Sequence, residues 1–338
     1  MNCIAVIPLA GLLSFATESV ALKMGDALGA LLNVTFGNAV ELIIFIIALV
    51  KNEIRIVQAS LLGSILANLL LILGMGFFLG GLRFREQVYN STVTQMSACL
   101  LSLSVISLVL PTAFHASFSD PNLADHESLK ISRGTSVILL LVYVIYLMFQ
   151  LKSHAYLYES TPQNIVDAES EEEGEHLTQS AAVILLLLTT GLVAACAEFL
   201  IGSIQDVVAT SSVGEIFIGL IVLPIVGNAA EHVTAVTVAM KNKMDLAIGV
   251  AIGSSIQIAI FVTPLVVILG WIMDKEMTLY FTLFETVCLF VSTFMVNFLV
   301  LDGRSNYLEG ALLCAVYCII GVVAFFYPDE ADASSWGS

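Results

Sequence analysis

Residues 37–41 read GNAVE and residues 227–231 read GNAAE, 190 positions apart. The same offset pairs Lys51-Asn52 with Lys241-Asn242 and Gly63-Ser64 with Gly253-Ser254. Upstream, ATE at 16–18 matches CAE at 196–198, at an offset ten shorter. A register that keeps glycines, a basic turn and a glutamate in step is an internal repeat. Each copy of the motif lies inside a long apolar run.

Those runs define the solvent. The chain is 58% hydrophobic and 12% charged, with mean hydropathy +0.96; soluble domains carry about 25% charged residues. Ten apolar spans are expected at about 3–22, 29–50, 54–80, 92–114, 133–152, 179–204, 214–240, 246–273, 279–301 and 306–327. Each has the length that a helix needs to cross a ~30 Å hydrocarbon core. A membrane β-barrel would show ~10-residue alternating segments instead.

One connection is long. Residues 153–178 contain the run DAESEEEGE (167–175), and they divide the spans five and five. Five is odd, so the second copy enters the bilayer from the opposite side. The expectation is an all-α polytopic membrane protein, ten transmembrane helices in two inverted five-helix repeats: 1–152, an acidic cytosolic linker 153–178, and 179–338. Inverted repeats are typical of secondary transporters, whose site lies at the midplane where the repeats meet.

With the linker cytosolic, Lys23, Arg83, Arg85, Lys152, Lys241, Lys243 and Arg304 share its side. Lys51, Arg55, Lys130, Arg133 and Lys275 face away, in the sense of the positive-inside rule. The net charge of −16 owes much to the linker, and nothing resembles the basic footprint of nucleic-acid binding. The six cysteines (Cys3, Cys99, Cys196, Cys288, Cys314 and Cys318) lie in apolar segments without metal-site spacing and read as small hydrophobes. Residues 3–22 lack a basic n-region and a small-residue cleavage site, so they read as a span and not as a signal peptide.

The chemistry lies in ionisable groups within spans, which cost ~2.5–3.5 kcal/mol each on insertion scales. Here they are Glu18, Glu41, Glu198, Glu231, His232 and Glu285. Glu41 pairs with Glu231 across the repeat, and Glu18 with Glu198; Glu285 has no repeat mate. No Lys or Arg lies mid-span, so these carboxylates are expected to be protonated or to hold a cation. Gly37, Gly227 and Pro224 can interrupt their helices and free carbonyls to line a cavity. Asn38 and Glu41 are i, i+3, as are Asn228 and Glu231, so each pair shares a helix face. The next spans offer Ser64 with Asn68 and Ser254 with Gln257. A lone Asn or Ser in a membrane helix usually makes an interhelical hydrogen bond. In register with a Glu in both halves, these residues read as ligands. Carboxylates and neutral oxygens suit Ca2+, and the thiolates or clustered imidazoles of softer metals are absent.

Charge then dictates a mechanism. Two Glu carboxylates with one Ca2+ sum to zero, and so do two protonated carboxyls. The empty, doubly ionised site is the costly state in a low-dielectric core. A protein that reorients only with a neutral site exchanges Ca2+ for H+, and it needs no cofactor beyond the ions it carries.

At GNAVE and GNAAEH the sequence resembles the cation/H+ antiporter branch of the cation/Ca2+ exchanger superfamily, in its fungal vacuolar form. Residues 29–74 and 219–271 carry the resemblance most specifically, and it extends over essentially the whole chain. It implies alternating access with the cation on Glu41 and Glu231, assisted by Asn38, Asn228, Ser64, Ser254 and Gln257. It further implies proton handling or gating by Glu18 and Glu198, and a multi-pass location in the vacuolar membrane. His232 reads as a further proton-coupling or gating residue. Family members usually have eleven spans, and this chain begins at what would be the second.

Three alternatives make different demands. A Na+-coupled exchanger of the same superfamily would share the repeats but not the GNAAEH wording. A membrane-embedded metal hydrolase using Glu231-His232 would need further ligands at spacings such as H-E-x-x-H; His115, His126, His154 and His176 lie outside span centres. A passive channel would more naturally be a ring-like oligomer. The ligand types do not separate Ca2+ from Mn2+, nor does the sequence define an oligomeric state.

Overall fold

The computed structural model describes residues 2–24, 29, 32, 35–154 and 178–327. The acidic run 167–175 lies outside the described residues. What is described is nearly all helix: α1 (Asn2–Ala21), α2 (Ala39–Val50), α3 (Ile54–Arg83), α4 (Ser91–His115), α5 (Pro121–Met148), α6 (Gln179–Gly202), α7 (Ile204–Thr210), α8 (Glu215–Gly227), α9 (Ala229–Met240), α10 (Met244–Ile272), α11 (Leu283–Leu299) and α12 (Tyr307–Phe325). A two-residue antiparallel ladder, β1 (Gln87–Val88) with β2 (Arg304–Ser305), is the one departure from helix that the apolar pattern did not anticipate.

Eight helices among the described residues are long and apolar enough to cross a bilayer, and α8 with α9 forms a ninth span bent by 58°. The ten-span expectation is met to that extent. The span expected at 29–50 is represented by α2, a 12-residue apolar helix that starts after a turn at Gly37-Asn38. The bend in the other motif falls at the matching place, Gly227-Asn228. Both helix interruptions expected from the glycines are therefore present.

Other features recur at the same offset. Asn52 and Asn242 hold left-handed backbone, φ 65° and 60°, in the turns after α2 and α9; Asn tolerates that region better than most residues. Both long central helices loosen into π geometry, α3 at Ala67–Ile72 and α10 at Ile258–Val262. Such bulges are common at functional sites. These two helices are also the most buried spans, at 72% and 67% of their apolar windows.

Polar contacts gather the connections into two ends. At one end Gln87 Nε2 donates to Ala239 O and Asn242 Oδ1, and Asn90 N donates to Asp245 Oδ1. At the other, Lys275 Nζ donates to Asn52 Oδ1 and Gln205 Nε2 to Glu53 Oε2. Thus α3 starts at the second end and α10 starts at the first, so the two run in opposite directions.

Two expectations are corrected. The span placed at 133–152 starts at Pro121, because Asp120 caps the helix through Asn122 N and Pro121 occupies its first turn. Its polar opening turns extend beyond the apolar stretch that the hydropathy marks. Glu285 is not a mid-span carboxylate without a cationic partner. It stands in the first turn of α11, forms a capping box with Thr282, and pairs with Arg55 at 2.7 Å.

Candidate functional site

The two interrupted helices meet in the interior. The interruption at Gly37-Asn38 puts Asn38 and Glu41 at the start of α2, both buried. The bend at Gly227-Asn228 puts Asn228, buried, and Glu231, half-buried, at the start of α9. Pro224, which lacks an N–H, sits one turn before the bend, and its carbonyl accepts from both Asn228 N and Asn228 Nδ2. A helix start leaves several N–H groups unpaired and carries partial positive charge. Each carboxylate thus stands in the first turn, where a negative group is favoured.

The Glu41 side chain lies against Gly227, where an added Cβ would stand 3.2 Å from Glu41 Cγ. A Cβ there would require the Glu41 side chain to give by a few tenths of an ångström. Glu231 stands four residues after Gly227, in the first turn of α9. The two carboxylates therefore occupy one site built from both halves.

Around them the central helices supply hydroxyls and amides. Ser254 Oγ stands 2.7 Å from Asn38 Oδ1, 3.1 and 3.2 Å from the Glu231 oxygens, and 3.0 Å from Asn68 Nδ2. Asn38 Nδ2 donates to Gln257 Oε1 at 2.8 Å. Asn228 Nδ2 donates to Ser64 Oγ at 3.3 Å. Helix α3 is held close to α8 at Gly63, where a Cβ would collide with the Leu220 carbonyl; this keeps Ser64 within reach of Asn228.

Three buried acceptors in this cluster have no hydrogen-bond partner: Glu41 Oε1, Asn68 Oδ1 and Asn228 Oδ1. An unsatisfied buried acceptor costs about 1–3 kcal/mol, so three together suit an arriving cation or proton. No group of three or more His, Cys, Asp and Glu side chains stands ready for a metal among the described residues. The donor set is two carboxylates among neutral oxygens.

Of the seven residues expected to hold the metal, Ser254 gathers Asn38, Glu231 and, through Asn38, Gln257; Asn228 bonds Ser64; and Glu41 lies against Gly227. Asn68 was visible in the sequence only as the i+4 neighbour of Ser64, because its partner at the repeat offset is Ile258. In the structure it is fully buried and bonded to the central serine. The three residues expected in proton coupling or gating lie on α1, α6 and α9. Glu18 lies three residues before the end of α1, and Glu198 is exposed in the last turns of α6, its carbonyl accepting from Lys51 Nζ at 3.2 Å. His232 follows Glu231 but points its buried Nε2 at no hydrogen-bond partner.

This arrangement defines a class: a polytopic helical membrane protein whose two interrupted helices bring paired carboxylates into one buried, oxygen-lined site. The chain belongs to the sodium/calcium exchanger protein family, whose model matches residues 1–152 and 181–326. It is 48% identical over 97% of its length to a vacuolar calcium ion transporter of Schizosaccharomyces pombe, covering 79% of that protein. It is 44% identical over 96% of its length to a Ca2+/H+ antiporter of Aphanothece halophytica, covering 89% of it. The solved structure of native YfkE superposes with a TM-score of 0.81 at 36% identity, covering 96% of this chain and 91% of that one.

Proposed function

We propose that the chain is a secondary active antiporter that exchanges Ca2+ for H+ across the vacuolar membrane by alternating access. Its ten helices form two inverted repeats, 1–152 and 179–338, joined by a cytosolic acidic linker at 153–178. The opposed directions of α3 and α10 support that reading, as do the π segments and asparagine turns at the repeat offset. So do the relatives, a vacuolar calcium ion transporter and a Ca2+/H+ antiporter. Glu41 and Glu231 hold the cation, with Asn38, Asn228, Ser64, Ser254 and Gln257 as further oxygen ligands. Glu18, Glu198 and His232 serve proton coupling or gating.

The observation that carries the proposal is the set of contacts at Ser254 Oγ. A serine hydroxyl has one proton to donate and two lone pairs. The shortest contact, to Asn38 Oδ1, takes that proton; Asn68 Nδ2 fills one lone pair. The same hydroxyl also lies within donating distance of both Glu231 oxygens. One hydroxyl proton cannot fully serve Asn38 and Glu231 together, so the cluster has room for a further proton on Glu231. When Ca2+ enters, the carboxylate gives up that proton and the oxygens turn to the ion. Binding of one substrate thereby releases the other, and the neutral site is free to reorient in either loaded form.

The test is Ca2+ uptake into proteoliposomes under an imposed pH gradient, comparing wild type with Glu231→Gln. Uptake that requires the gradient, ignores Na+ and disappears in the variant is the expected result. Uptake independent of the proton gradient would overturn the proposal.

A further inference from the structure

Away from the carboxylates, a groove of about 450 Å³ opens on the outer face of the bundle, lined by Lys130, Arg133, Gly134, Val137 and Trp271. It lies where α5 packs against the end of α10. Its floor is open because Gly134 has no side chain, and a Cβ there would meet nothing within 4 Å. The Arg133 guanidinium stacks over Trp271 at 5.1 Å, yet its buried Nε makes no hydrogen bond. Lys130, one helical turn away, gives one N–H to Glu127 Oε1 at 2.8 Å and has two more to offer. Two cations thus flank a pocket with donor capacity left over.

The groove continues as an apolar track. Val137, Leu141, Val144 and Met148 follow at helical spacing along α5, exposed at 45%, 60%, 53% and 60%. Tryptophan marks the headgroup level of a bilayer, so the track runs from the cations toward the hydrocarbon. On the topology proposed above the groove faces away from the cytosol, and two cations beside a tryptophan at headgroup level are complementary to an anionic headgroup of that leaflet. A free phosphate would match the cations but leave the track unused.

We propose that this groove binds an anionic phospholipid, with its phosphate on Arg133 and Lys130 and an acyl chain along Val137, Leu141 and Val144. Trp271 terminates α10, the helix that carries Ser254 and Gln257, so the bound lipid braces the far end of that helix. The assignment rests on the groove alone and holds whichever ion the protein carries.

The test uses the full chain purified in detergent, with native mass spectrometry after adding phosphatidic acid or phosphatidylcholine of matched acyl chains. The expected result is a single retained phosphatidic acid, preferred over phosphatidylcholine by roughly fivefold per cation. Arg133→Gln should remove about one such factor, and Arg133→Lys should restore most of it. Val137→Trp, which fills the groove and leaves both charges, should displace the lipid and so keeps the test decisive where Arg133→Gln fails to fold. Equal retention of both lipids would overturn the assignment and leave Arg133 and Trp271 as a general interfacial anchor. Displacement of the lipid by millimolar inorganic phosphate, regardless of acyl chain, would also overturn it in favour of a free-anion site.

Discussion

Arg55 Nη2 lies 2.7 Å from Glu285 Oε1, a carboxylate with no solvent exposure. The pair ties the start of α3, one of the two central helices, to the start of α11. Glu285 Oε2 also receives Thr282 N and Thr282 Oγ1, at 3.0 and 2.9 Å. Removing one partner of a buried ion pair strands the other and costs about 3–5 kcal/mol, whereas replacing both with apolar residues is often neutral. Arg55→Ala should therefore lower the thermal midpoint in detergent sharply. An Arg55→Met/Glu285→Met double variant should recover part of the loss. Equal midpoints for wild type and Arg55→Ala would remove the pair from any structural role.

Asn68 completes the proposed site through Ser254 and an unpartnered oxygen. Asn68→Ala should raise the Ca2+ concentration needed for half-maximal uptake by about tenfold, the equivalent of roughly 1.4 kcal/mol. Proteoliposome uptake over a Ca2+ series measures this. An unchanged half-maximal concentration would limit Asn68 to packing.

Gly227 allows the Glu41 side chain to approach the second interruption. Gly227→Ala should push Glu41 aside and reduce transport by an order of magnitude or more, with the fold retained. Gly191 is the control, since a Cβ there meets nothing within 4 Å. Gly191→Ala should transport normally and gain up to about 1 kcal/mol of helix stability. Similar activity in the two variants would show that the close approach at Gly227 is not needed for transport.

Protons and Ca2+ compete for the same two carboxylates in the proposed mechanism. Lower pH on the side from which Ca2+ loads should weaken its apparent affinity, and higher pH should strengthen it. Uptake at fixed gradient but varied absolute pH reads this directly. An affinity that does not move with pH would separate the proton path from Glu41 and Glu231.

Much of the candidate site was legible in the chain because the repeat presents it twice. Asn38, Glu41, Ser64 and their mates Asn228, Glu231 and Ser254 share one offset, and polar groups kept in step within apolar runs stand out. Asn68 breaks that symmetry, so its central position could not be read from the repeat. Glu18 and Glu198 matched each other in sequence too, yet they lie toward the ends of α1 and α6, and Glu198 is exposed. A shared register says that two residues occupy equivalent places, not that those places meet. The ion pair of Arg55 and Glu285 was hidden for another reason. Its members are far apart in sequence, and each lies at a helix start, where hydropathy does not tell a capping carboxylate from a buried one.

By itself the sequence determined the medium, the spans and the two interrupted motifs, because apolar length and helix-breaking residues act locally along the chain. Only the tertiary structure decided that the interruptions meet face to face, that Ser254 joins Asn38 to Glu231, and that Arg55 closes on Glu285. Those contacts depend on how helices cross, and that is set by close approaches such as Gly63 on Leu220 and Gly227 on Glu41, between residues that the chain itself keeps far apart.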